Sequence, residues 1–196
     1  MRVLKWVLLP LLLPVLFSCS NVRISTIPDP IIIESPKKRC GSLIIRATPT
    51  PDNIGRGVDY VEGFVNNLRK YRMFKEIYYP AWPDEKSDMQ LDIKIEGERN
   101  DNPGENLARG ALIGASLMLL EPFIDGEYDF MLKAYGHIKS NNSVEGEIMA
   151  QCETKLLMKS ADEMGNNKRM NELLAVNNCM EALSKQLMLQ LERLCP

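Results

Sequence analysis

Residues 89–96 read Met-Gln-Leu-Asp-Ile-Lys-Ile-Glu, an unbroken alternation of apolar with polar or charged side chains. Side chains of a strand point to opposite faces in turn, so this is a strand with one face in a core and one in water. Met89, Leu91, Ile93 and Ile95 share the core face; Gln90, Asp92, Lys94 and Glu96 share the wet one. Two longer alternating runs follow at 127–138 and 144–157. Lys139-Ser140-Asn141-Asn142-Ser143 joins them, and the whole reads as an antiparallel hairpin.

Upstream, SLIIRAT at 42–48 is a first strand, followed by the turn-rich TPTPDNIGRG. From about 55 to 74, Val58, Val61, Val65, Leu68 and Tyr71 recur at helical spacing, with Phe64 and Phe74 widening the stripe. EIYYP at 76–80 is a short strand ended by proline. Downstream, 171–194 is a second helix with Val176, Met180, Leu183, Leu187, Leu191 and Leu194 on its core face. This order predicts an α+β domain: an antiparallel or mixed sheet of four to five strands with two helices packed on one face.

The chain opens MRVLKW and continues LLPLLLPVLF, a short charged start and an uncharged apolar run. The run is long enough for the core of a signal peptide and short of the roughly 20 residues of a spanning helix. Leu16-Phe17-Ser18-Cys19 follows, with Leu three before the cysteine and a small residue next to it. These residues resemble the lipobox of bacterial lipoproteins. The resemblance implies cleavage before Cys19, lipid on its thiol and acylation of its new amino terminus. One acyl chain holds a membrane only marginally, so a stable attachment uses two or more. Ser20 and Asn21 come next, with no Asp beside the cysteine, which in such lipoproteins favours the outer membrane. The expected organisation is a signal peptide at 1–18, a lipidated tether at 19–40 rich in proline, and a single α+β domain at 41–196.

Without residues 1–18 the chain has 22 Lys+Arg against 26 Asp+Glu, a formal charge of −4. That balance does not suit an electrostatic binder of nucleic acid. Cys40, Cys152, Cys179 and Cys195 remain, an even number that suggests two disulfides in an exported protein. Cys179 and Cys195 fall on one predicted helix, about 24 Å apart along its axis, and cannot join. Of the two pairings left, Cys152–Cys179 with Cys40–Cys195 is preferred, because Cys152 shares its strand face with Ile148, Ala150 and Leu156. Buried free thiols are the alternative.

Between two strands lies an insert at 104–126, and from Gly110 to Leu120 it carries no charge. It is too short to span a membrane as a helix. Three readings stay open: part of the core, a segment facing the membrane, or a subunit contact. Its apolar residues Leu112, Ile113, Leu117, Met118, Leu119, Leu120 and Phe123 are the interface candidates.

Little chemistry is legible. A lone His137, opposite in parity to the apolar strand residues, reads as a surface or layer-packing histidine. Asp125, Glu127 and Asp129 can share one strand face, but no further ligand supports a calcium or hydrolytic site. Trp82 with Tyr78, Tyr79 and Pro80 reads as core or edge packing rather than a glycan or peptide contact. No G-x-S-x-G, HExxH or Gly-rich phosphate loop is present. No catalytic residue, metal or cofactor is therefore expected.

GSLIIRATPTPD, the helix around Val58 to Tyr71, MQLDIKIEGE, ALIGASLMLLEPFIDGEYDFMLKAYG and the last helix together resemble the periplasmic domain of curli-secretion and exopolysaccharide-secretion lipoproteins and the amino-terminal domain of TolB. The resemblance covers about 42–194 and implies a protein that assembles or scaffolds. The expectation is a non-enzymatic, membrane-anchored accessory subunit of an envelope assembly or secretion complex, oligomeric or bound to envelope proteins. The alternative is a periplasmic lipoprotein that binds lipid or a small ligand.

Overall fold

The computed structural model describes residues 22–28, 39–50, 60–82, 85–101, 103–116, 124–141, 145–159 and 166–195. The elements in order are β1 (Arg23–Ile27), β2 (Cys40–Ala47), α1 (Tyr60–Tyr71), β3 (Phe74–Tyr78), β4 (Met89–Asn100), α2 (Pro103–Ala115), β5 (Asp125–Ser140), β6 (Glu145–Lys159) and α3 (Asn166–Leu194). The strands form one mixed sheet in the order β1-β6-β5-β4-β2-β3. From β1 to β4 the neighbours are antiparallel. The pairs β4–β2 and β2–β3 are parallel.

The alternation at 89–96 belongs to a strand of 12 residues, with Met89, Leu91, Ile93 and Ile95 buried. The hairpin pairs along nearly its full length, from Asp125 opposite Lys159 to Lys139 opposite Glu145. β2 departs from alternation for a physical reason. It runs between β3 and β4, and Leu43, Ile44 and Ile45 are all buried. Flanked by a strand on either side, it buries side chains of both parities here and reads as a continuous apolar run. The buried faces of α1 and α3 close one side of the sheet: Phe64, Val65 and Leu68 from α1, and Val176, Leu183, Leu187 and Leu191 from α3 join the core.

The expected count of four to five strands and two helices is corrected: the described residues hold six strands and three helices. The extra strand, β1, comes from the stretch read as tether. Pro28 follows Ile27 and ends a strand rather than preventing one, and Ile24 and Thr26 turn toward the core side. The extra helix, α2, comes from the apolar insert, and it touches β5 rather than completing the covered face. Its start was written in the sequence. Pro103 is pre-shaped for a first helical position, and Glu105 complements the positive helix end.

Cys40 is joined to Cys195 and Cys152 to Cys179, with Cα–Cα distances of 5.7 and 5.5 Å. The first bridge ties the start of β2 to the residue after α3, and the second pins the middle of α3 to β6. Beside the first, Asp88 accepts hydrogen bonds from the Ser42 backbone N (2.7 Å) and the Ser42 Oγ (2.9 Å). Gly41 makes this possible, because a Cβ there would meet Asp88 Oδ2 at 2.1 Å.

β1 pairs only with residues 153–157 of β6, so among the described residues the edge of β6 near Met149 has no strand beside it. Side chains of α3 serve instead. Gln190 Nε2 donates to the Met149 carbonyl (2.7 Å) and its Oε1 accepts from the Met149 N (3.1 Å). Gln186 Nε2 donates to the Gln151 carbonyl (2.9 Å). An exposed strand edge is a template for unwanted pairing, and these glutamines occupy it.

Candidate functional site

The sheet has a second face that α1 and α3 do not cover. Alternation puts on it Glu96 and Glu98 from β4, Met131, Lys133, Tyr135 and His137 from β5, and Met149, Gln151, Glu153 and Lys155 from β6. Two of its ion pairs run across strands. Lys155 pairs with Glu127, and Lys133 lies 3.6 Å from Glu98. The hydrogen bond to Glu127 raises the Lys155 pKa, and the negative charge of Glu127 adds to the effect. Between the charges, Ile27, Tyr135 and Met149 stand exposed.

At one end of this face a groove of about 720 Å³ crosses four strands. Ile27, Glu153, Met131 and Glu98 form one rung across it, and Ser25, Lys155, Asp129 and Asn100 the next. A second depression of about 650 Å³ lies toward the other end, around Lys94, Tyr135, His137 and Met149. Both are open troughs of mixed apolar and charged lining, a surface suited to an extended or flat partner.

The groove end also holds a wholly buried carboxylate, Glu172, and a buried guanidinium, Arg109. Arg99 Nη2 lies 3.2 Å from Glu172 Oε1, and Glu172 is wholly buried. The guanidinium of Arg99 also stands 5.6 Å from the ring centre of Tyr128 and 5.8 Å from that of Phe130. Lys168 Nζ is 4.5 Å from the Tyr128 ring centre. This cluster fastens the start of α3 to β4 and β5. An ion pair out of water with aromatic flanks is a structural clamp, and its loss on one side is destabilising.

α2 sits at this end too. Asn106 Nδ2 donates to the Glu127 carbonyl at 3.3 Å, and Arg109 is buried. The rest of the helix faces out: Leu107 is 76% exposed and Leu112 56%, with Ala108, Ala111 and Ala115 exposed beside them. Of the interface candidates, Leu112 is exposed and Ile113 half-buried. Leu117, Met118, Leu119, Leu120 and Phe123 lie outside the described residues, as does Cys19. A core role is thus excluded for Leu112.

The other residues singled out are placed as follows. His137 lies on the uncovered face, opposite Asp92 on β4 and Glu147 on β6. Among the described residues no group of three or more His, Cys, Asp and Glu is placed to hold a metal ion. Asp125, Glu127 and Asp129 do share the uncovered face, but Glu127 is committed to Lys155. Trp82 is exposed at the β3 side of the molecule, while Tyr78 and Tyr79 are half-buried. No helix among the described residues is long and apolar enough to cross a membrane. The Arg99–Glu172 clamp was missed from sequence. The signal available was a charged residue, Arg99, at an inward-facing strand position, and Glu172 one turn ahead of the helix stripe.

No family model and no curated protein matches the sequence. Among solved structures the chain is similar to a minor lipoprotein from Acinetobacter baumannii, with 9% identity and a TM-score of 0.42 over 78% of this chain and 90% of that one. It is also similar to the rare lipoprotein B from Shewanella oneidensis, with 12% identity and a TM-score of 0.44 over 78% and 94%. An uncharacterized lipoprotein B from Nitrosomonas europaea has 13% identity and a TM-score of 0.44 over 78% and 83%. The likeness to bacterial lipoproteins is distant, and it does not single out the curli-secretion and TolB class.

Proposed function

We propose that this protein is a membrane-anchored lipoprotein that works without catalysis, as an accessory or structural subunit of an envelope assembly. In this reading residues 1–18 are a signal peptide and lipid on Cys19 holds the protein to the periplasmic face of the outer membrane. The domain from β2 onward, extended by β1, is the working part. Its partners are envelope proteins or further copies of itself, and no nucleic acid or cofactor is involved.

The observation that carries this reading is the uncovered sheet face. A sheet of this size normally buries both faces or exposes a plainly polar one. Here the face that α1 and α3 leave uncovered holds a groove of about 720 Å³, with Ile27 and Met131 among charges. Interfaces combine an apolar centre with a polar rim in this way. A second reading, a periplasmic lipoprotein that binds lipid or a small ligand, draws on the same groove, whose volume is within the range of about 300–1,000 Å³ for ligand sites.

The native mass of the protein extracted from its own membranes in mild detergent separates the two. A discrete high-mass species, lost when Met131→Glu and Ile27→Glu are introduced, is the expected result. A clean monomer that carries bound lipid would overturn the assembly reading in favour of the second.

A further inference from the structure

We infer that the α2 end of the sheet rests on the bilayer that holds the Cys19 lipid, with exposed apolar side chains of α2 and of the start of α3 lying in the membrane–water interface. This rests on the lipoprotein reading above and adds an orientation and a second membrane contact to it.

The argument is one of chain length and register. Cys19 precedes Arg23 by four residues, a link that spans at most about 14 Å. Arg23 opens β1 opposite Leu157, and Leu157 lies opposite Glu127. Two strand spacings of about 4.8 Å therefore separate Arg23 from Glu127. Glu127 is the residue whose carbonyl receives Asn106 of α2. The start of β1, the end of β4, the start of β5, the end of β6 and all of α2 thus share one end of the sheet, and the lipid is tied to that end. Cys40, Ser140 and Cys195 mark the other, about 40 Å away along β4 at 3.3 Å per residue.

The distribution of exposed apolar groups follows the same axis. Nine large apolar side chains are exposed among the described residues. Five of them are at the lipid end: Leu107 and Leu112 on α2, and Met170, Leu173 and Leu174 on the first turns of α3. Such a concentration on helices that flank an attachment point is what an interfacial contact requires, since buried apolar area adds to the hold of the acyl chains. The uncovered sheet face is not a rival seat, because Glu98, Glu127, Lys133, Glu153 and Lys155 would have to enter the headgroup region together. The orientation also leaves the groove beside the membrane and open to a partner, with Trp82 and the Arg69, Arg72 and Lys75 cluster of the far end turned away.

The test uses the mature, lipidated protein in phosphatidylethanolamine–phosphatidylglycerol vesicles, with and without brominated acyl chains that quench tryptophan. Trp82 is the sole tryptophan after the leader, so the unaltered protein reports the far end. In a Trp82→Phe background, Leu107→Trp and Leu173→Trp report the lipid end, and Met149→Trp the uncovered face. The expected result is loss of most emission, with a blue shift, at positions 107 and 173 in brominated vesicles, and none at 82 or 149. Mass measurement of the amino-terminal peptide is made on the same samples. Acylated protein without quenching at 107 and 173 overturns the inference and leaves the lipoprotein reading standing. Cross-linking of position 107 between copies, without quenching, overturns it in favour of a second copy as occupant. Peptide without acyl chains at Cys19 overturns both.

Discussion

Removing the Cys40–Cys195 bridge with the paired change C40A/C195A tests how the fold is closed. The bridge joins residues 155 apart in sequence, the first strand of the covered core to the residue after the last helix. A cross-link restricts the unfolded chain by an amount that grows with the logarithm of the loop, and a loop of this size corresponds to about 5 kcal/mol at 25 °C. The Cys152–Cys179 bridge lies inside that loop and shortens it by 27 residues, which changes the figure by only a few tenths of a kcal/mol because the dependence is logarithmic. Folded-state damage is confined to one buried sulfur, that of Cys40, since Cys195 is only partly buried and α3 remains pinned to β6 by the inner bridge. Whole domains are stable by about 5–15 kcal/mol, so the loss is a large share of the total. Urea unfolding followed by circular dichroism gives both the stability and the denaturant slope. The slope should rise, because the freed chain exposes more surface when unfolded. A loss below about 1 kcal/mol with an unchanged slope would refute the reasoning, since the constraint argument requires both to move.

The remaining predictions concern single contacts. Arg99→Met should be more destabilising than Glu172→Gln, toward the upper part of the roughly 3–5 kcal/mol seen for one-sided loss of a buried pair. It strips the guanidinium from a carboxylate that is 0% exposed, whereas Arg99 keeps 18% exposure and Asp101; equal losses in urea melts would count against the clamp. Asp88 has its pKa held below the ordinary 3.8 by the Ser42 backbone N–H and then the Ser42 hydroxyl. Its contribution is therefore present above about pH 4 and lost as pH falls through the lowered value; carboxyl chemical shifts should show Asp88 titrating below 3.8, and Asp88→Asn should flatten that part of the acid-stability curve. Gln186→Ala with Gln190→Ala should leave the fold intact and expose the β6 edge, so that light scattering shows added concentration-dependent association; a mass indistinguishable from that of the unaltered protein at every concentration would show that the edge is protected otherwise.

Periodicity carried much of the architecture by itself. The alternation at 89–96, the two runs of the hairpin and the stripe from Val176 to Leu191 are local patterns, because strands repeat every two residues and helices every 3.6. Cysteine spacing belongs with them: the rise of a helix separates Cys179 from Cys195 whatever the rest of the fold does. What escaped was decided by neighbours. Arg23–Ile27 is too short and too close to prolines to declare itself, and becomes β1 only because the β6 edge beside it offers backbone partners at 153–157. Sequence left the insert open among core, membrane-facing segment and subunit contact; Leu107 and Leu112 are exposed because β5 gives α2 only a narrow seat around Asn106 and Arg109. The pairing of Arg99 with Glu172 spans 73 positions. Hydrophobic pattern is a local property and can be read along the chain; which edge is open, which face stays bare and which distant charges meet follow only from the packing of the whole sheet.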